Sequence, residues 1–303
     1  MGRRGFSGKL SRVHDPLFDS AWLKWAQGVM HAQTLQADIE RVGNEADAYP
    51  VLAFRTEYHP KRHGFAVIAE DIAPIPARWP LLLGDIANNY RAALDHLAWA
   101  LVSRGRTPPA KLTNRQKKAV YFPIYKERAE FNGRVPAQLP GVRRADLAKV
   151  RRYQPYHHGP GARPRHALSL LASINAGDKH RTIPPLWAVS VETGMKITQR
   201  RDCVITGTHP GGTAEPLEVD AEIAFLHARK TGPDPEIQME LLITPEPTLD
   251  NILGVREWDQ ALCALILSLL FEFSPQPERA IREVGAKLRE IDPDFLAGAS
   301  KAR

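Results

Sequence analysis

Cysteine is nearly missing: Cys203 and Cys263 are the only two in 303 residues. Two thiols do not make a disulfide scaffold, and they suit a reducing cytosol in which a buried thiol is a small apolar residue. Long apolar runs are missing too. The longest, Ala261–Phe271, is too short to span a bilayer. The first residues, Met-Gly-Arg-Arg-Gly-Phe-Ser, are basic but lack the apolar core of a signal peptide. A cytoplasmic chain with no membrane partner is therefore expected. A Walker loop, a Gly-x-Gly-x-x-Gly turn and a Gly-x-Ser-x-Gly elbow are all absent. So are internal repeats and low-complexity stretches.

What is present suits a globular protein. Hydrophobic residues make up 43% and charged residues 25%, enough for a sizeable core. Lys plus Arg number 41 against 34 Asp plus Glu, a net +7 that favours anionic partners. The excess is concentrated near the start, at a hairpin tip and in Arg143–Arg152, while the stretch Glu215–Glu246 is acidic.

Hydrophobic spacing divides the chain. Asp15 to Asn44 reads as an amphipathic helix. Tyr49–Tyr58 and Phe65–Glu70 read as a β-hairpin around His59–Gly64. Leu81–Arg104 is the clearest helix, with Leu83, Ile86, Ala87, Tyr90, Leu94, Leu97 and Leu101 on one stripe. Pro108–Pro140 reads as largely irregular, Arg143–Tyr153 as a short basic helix and Arg165–Ala176 as another. Four or five antiparallel strands follow between Leu186 and Ile243. Asp250 is placed to cap a buried helix, Ile252–Phe273, and Glu278–Ile291 is a last amphipathic helix. The expected fold is α+β: a mainly helical core with an N-terminal β-hairpin and a later antiparallel β-meander. The expected organisation is a core with hairpin over 1–185, a meander insertion over 186–250, and C-terminal helices over 251–303 packing back on the core.

The stretch Gly84–His96 places Asp85, Asn88, Asn89, Arg91, Asp95 and His96 in an otherwise apolar helix. Two adjacent asparagines are poor helix formers, so a working polar cluster is implied. At about 100° per residue, Asn88 and Asp95 nearly eclipse, as do Asn89 and His96. Arg91 and Asp95 are spaced to pair as ions. Arg91 and His96 lie about 140° apart around the axis and flank one edge. A second cluster, Asp178-Lys179-His180-Arg181, follows Asn175 and Gly177 at a helix end. Its cations suit the negative helix terminus; alternatively the cluster binds an anion, with His180 as a general acid or base. Arg151 and Arg152 belong to a basic stretch that, with Tyr153 and Tyr156, suits a phosphate backbone. His157, His158, His166, Asp178 and His180 match no zinc spacing, so neither a metal nor a cofactor is expected.

The order Gly84-Asp85…Arg91-Ala92-Ala93-Leu94-Asp95-His96, Phe122-Pro123-Ile124, Gln154-Pro155-Tyr156 and Asn175…Asp178–Arg181 resembles a group of uncharacterised bacterial and phage proteins. More distantly, Arg91-x4-His96 resembles the Arg-x4–6-His pattern of HEPN domains. That likeness implies a small helical bundle that dimerises, as in the metal-independent endoribonucleases of toxin and phage-defence systems. It makes Arg91 and His96 the catalytic pair, joined here by His180. Asn88, Asn89, Asp95, Asp178, Lys179, Arg181, Arg151 and Arg152 would hold RNA or another polyanion across a homodimer. His would move a proton and Arg would stabilise the charged phosphorane. The chain departs from the pattern at Ala92, where active members usually carry a polar residue. Two other readings stay open: a non-catalytic protein that binds a nucleotide, nucleic acid or protein, and a polar network that only specifies the fold.

Overall fold

The computed structural model describes residues 16–44, 52–72, 74–105, 111–180, 186–210, 218–249 and 253–291, with the backbone alone at 16, 43–44, 52, 72, 177–180, 186–195, 210, 241–249, 253 and 288–291. Within them the fold is α+β. The α-helices are α1 (Asp19–Asn44), α2 (Arg78–Ser103), α3 (Asn114–Lys118), α4 (Arg128–Gln138), α5 (Arg144–Arg152), α6 (Ala167–His180), α7 (Val255–Phe273) and α8 (Pro277–Ile291). The strands are β1 (Leu52–His59), β2 (Gly64–Ile72), β3 (Leu186–Arg201), β4 (Cys203–Pro210), β5 (Glu222–Lys230), β6 (Glu236–Leu249) and β7 (Leu253–Gly254). No helix among the described residues is long and apolar enough to cross a membrane.

The chain divides into two compact units. The first comprises residues 1–30, 85–176 and 261–303; the second comprises 31–84 and 177–260. The first unit is helical. Its α2 stripe, Ile86, Tyr90, Leu94, Leu97 and Leu101, is fully buried, as the spacing predicts. Trp22 of α1 is also buried; it meets Phe271 edge-on at 5.8 Å and donates from Nε1 to Ser274 Oγ at 3.1 Å.

Helix α4 falls inside the stretch the sequence reads as irregular. Asn132, Gly133 and Pro136 are poor helix residues, but Phe131, Val135 and Leu139 recur four apart and all three are buried. Pro136 sits in the last turn. Burial of one apolar face has outweighed weak local propensity.

The second unit holds two antiparallel sheets. One has strand order β1-β2-β5-β4, the other β3-β6-β7. Phe65, Val67, Ala69, Cys203, Ile223, Leu226 and Ala228 of the first sheet share a core with Ile237 of the second, and Ile197 and Met239 pack against it. The hairpin tip follows from its sequence: Pro60–Arg62 forms a 3-10 turn and His63 takes the left-handed conformation, φ 52°. The sequence separates this hairpin from the later strands. The structure joins them, because β2 pairs with β5 from Gly64–His227 to Ile68–Glu222. Within the stretch read as four or five strands, residues 186–201 form one long strand, with register shifts near Trp187 and Ile197. The proposed cap at Asp250 lies outside the described residues.

In the helical unit, a Cβ added at Gly28 would lie 2.6 Å from two ring carbons of the buried Tyr90, whereas one at Gly133 would meet nothing within 4 Å. Gly133→Ala is expected to raise stability by up to ~1 kcal/mol through helix propensity alone. Gly28→Ala makes the same local gain but overpacks the core at a cost of about 1–3 kcal/mol. Denaturant unfolding of the two variants should therefore shift in opposite directions.

Candidate functional site

Helix α2 sorts its polar residues between two sides. On one side, Arg91 donates from Nε to Asp95 Oδ2 at 3.2 Å and from Nη2 to Asp95 Oδ1 at 2.8 Å. The same Nη2 donates to the carbonyl of Phe122 at 2.9 Å. The Phe122 N–H donates to Asp95 Oδ1 at 2.9 Å. Two hydrogen bonds thus hold the i,i+4 ion pair, and two more tie it to both backbone groups of buried Phe122.

Gln154 continues the arrangement. Fully buried, it donates from Nε2 to Pro123 O at 2.9 Å and accepts from the Tyr125 N–H at 3.1 Å. Residues 120–125 make neither helix nor strand, so their backbone groups need partners from elsewhere. Arg91, Asp95 and Gln154 supply them. Three of the short motifs are therefore pieces of one brace.

The other side of α2 faces α1. Lys24 Nζ donates to Asn89 Oδ1 at 3.3 Å, and Asn89 Nδ2 donates to the carbonyl of Asp85 at 2.9 Å. Half-buried His96 lies seven residues beyond Asn89. Burial first, and then the Lys24 charge, push the His96 imidazole below its ordinary value, with Asp95 opposing. Asn88 is half-buried and is not free of partners. No hydrogen bond joins Arg91 to His96: the arginine serves Phe122, and the histidine faces a cation.

The remaining sequence candidates scatter. Asp178, Lys179 and His180 are described by backbone only, in the last turn of α6, and Arg181 lies outside the described residues. Arg152 pairs with Glu272, whose backbone carbonyl also accepts from Lys149 Nζ at 3.1 Å. The Arg151 guanidinium lies 5.7 Å from the Phe131 ring centroid, and its buried Nε has no hydrogen-bond partner. The His158 and His166 ring centroids lie 4.8 Å apart, with the planes tilted at 49°. Among the described residues, no group of three His, Cys, Asp or Glu could hold a metal ion.

Local charge counts reveal what motif spacing does not. Residues 111–165 hold fourteen Lys and Arg against three Asp and Glu, a net +11 where the whole chain carries +7. Residues 186–249 hold five against ten, a net −5. Ten of the fourteen cations (Lys111, Arg115, Lys117, Lys118, Lys126, Arg128, Arg134, Arg143, Arg144 and Arg165) are exposed and have no ion-pair partner among the described residues. Tyr121, 39% exposed, stands in the same segment, and the Arg91 guanidinium lies 5.7 Å from its ring centroid. Comparison of the chain with protein-family models, curated proteins and solved structures finds no match.

Arg91→Ala should leave the Phe122 carbonyl unpaired and cost about 1–3 kcal/mol in denaturant unfolding. Arg91→Lys should recover little of this, since an ammonium cannot reproduce the planar fork. A second expectation concerns His166, whose Nδ1 accepts the Leu168 N–H at 3.2 Å. Burial, then the His158 charge, lower its imidazole from 6.5 to about 4. The unfolded chain therefore takes up this proton first as pH falls. Stability is intact above about 6.5 and drains away between there and about 4. His166→Asn should flatten that slope in pH-dependent melting.

Proposed function

We propose that the protein is a non-catalytic nucleic-acid-binding protein whose ligand is single-stranded RNA. The observation that carries this reading is the set of ten exposed, unpaired cations within residues 111–165. Such a segment attracts a polyphosphate by counterion release, a term independent of sequence. Tyr121 adds an exposed aromatic face on which an unstacked base can lie. Bases are available for such stacking in a single strand and hidden in a duplex. In this reading Arg91 and Asp95 hold the shape of the segment and do not touch the ligand.

A second reading is metal-independent RNA cleavage by Arg91 and His96 from paired copies. One observation favours it: the half-buried His96 is held neutral and can accept a proton. Against it, Arg91 already spends its guanidinium on Asp95 and Phe122. A phosphorane would have to compete with both.

The test is titration of labelled single-stranded RNA at several salt concentrations. Log affinity should fall linearly with log salt, and Arg143→Glu with Arg144→Glu should flatten the slope by about 1.4, or ~0.7 per lost phosphate contact. Tyr121→Ala should weaken binding by ~1–3 kcal/mol while leaving the slope unchanged. Salt-insensitive binding, or none, removes the proposal. RNA cleavage by the wild type that His96→Ala abolishes would replace it with the second reading.

A further inference from the structure

In the helical unit, an open cleft of about 650 Å³ lies between the ends of α5 and α7. Arg152, Tyr153, Ser268, Phe271 and Glu272 line it. The first two belong to the basic segment, residues 111–165. Phe271 is a large apolar side chain left 39% exposed. Its contact with Trp22 is edge-on, with the ring planes at 73°.

Glu272 supplies the polar side. Its Oε1 accepts from Arg152 Nη2, and its Oε2 accepts from the Tyr153 hydroxyl at 3.1 Å. Burial first, then the carboxylate that accepts its hydrogen, push the Tyr153 phenol above its ordinary value, so it stays a donor. An ionised carboxylate has about four acceptor sites, and these two bonds leave one on each oxygen. The Glu272 side chain is 20% exposed, so the remaining sites can be reached from the cleft. Arg152 spends only Nη2 on Glu272. Its Nε and Nη1 have no hydrogen-bond partner among the described residues.

We propose that this cleft binds an unstacked guanine base. The inference rests on the RNA-binding reading above and names the base it prefers. Phe271 offers a face on which any base can stack. Glu272 makes the choice, because a carboxylate only accepts and needs neighbouring donors on the base edge. Guanine carries two, N1–H and the 2-amino group, beside the O6 acceptor. The uncommitted Arg152 N–H groups stand next to the carboxylate and can donate to O6. Adenine and cytosine would set a ring-nitrogen lone pair against Glu272. Uracil would flank its single N–H with two carbonyls. A single strand presents this Watson–Crick edge, whereas a duplex hides it. The volume lies within the ~300–1,000 Å³ of small-molecule sites.

Calorimetric titration of the full chain with the 5′-monophosphates of guanosine, inosine and adenosine tests the assignment. The three share one phosphate and sugar and differ only in the base. Guanosine monophosphate should bind at about millimolar affinity or tighter. Inosine monophosphate, which lacks the 2-amino group, should bind about tenfold more weakly for one lost charge-assisted hydrogen bond, and adenosine monophosphate more weakly still. Glu272→Gln should erase the preference. Phe271→Ala should weaken all three by about fivefold to a hundredfold through lost stacking. Unchanged circular dichroism shows that each variant is folded. Guanosine monophosphate binding no tighter than the other two overturns the proposal, as does a folded Glu272→Gln that keeps the preference. The RNA reading is decided separately by the salt titration of single-stranded RNA. Salt-dependent RNA binding without a guanine preference removes the cleft alone. A guanine preference without RNA binding removes the RNA reading and upholds the cleft.

Discussion

The helical unit depends on one carboxylate, Asp95. It accepts two hydrogen bonds from Arg91 and one from the Phe122 backbone. Without it, Arg91 would carry an unbalanced charge with its side chain only 12% exposed. The segment after α3 would also lose the contact that fixes where Phe122 enters the core. Gln154 extends the same logic, with one fully buried amide acting as donor and acceptor to two points of that segment. An irregular stretch can be buried only when something takes the place of a ladder or a helix. In this protein three side chains do so.

The brace bears on how the unusual polar helix should be read. A mid-helix Arg, Asp and His invite a catalytic interpretation. The geometry divides them: Arg91 and Asp95 turn to a backbone, while Asn89 shares Lys24 with the surroundings of His96. Charge available to a ligand lies instead on exposed lysines and arginines of α3, α4 and α5 and the segments joining them. Satisfied cations specify a fold; unsatisfied ones reach outward.

Much of this was legible in the sequence, in proportion to how local it is. The α2 stripe and the Arg91–Asp95 pair follow from helical spacing, because i,i+4 neighbours are set by the helix itself. The hairpin follows from alternation around Pro60 and Gly64. The bond from Arg91 to Phe122 was not legible, because nothing local fixes a partner 31 residues away. Helix α4 was hidden by Gly133 and Pro136, although its Phe131, Val135 and Leu139 spacing was there to be weighed. The basic segment needed no geometry. Charge counted in windows along the chain gives it over residues 111–165, whereas Arg151 is half-buried and Arg152 is paired with Glu272, so neither belongs to the exposed, unpaired set.

The β2–β5 ladder has a consequence for the order of events during synthesis. Ile68 and Glu222 are register partners more than 150 residues apart. A growing chain completes β1 and β2 early, and a lone two-stranded hairpin is marginal in water. Its open edge must wait for β5 while the intervening helices are translated, roughly 8–30 s at ordinary elongation rates. For that interval β2 presents unpaired backbone groups to whatever is nearby. A chain built this way has high contact order in its sheets and low contact order in its helices. The helices between Asp85 and Ala176 can condense on the ribosome while the four-stranded sheet is still half made, and crowded ribosomes should favour misassociation of that one edge.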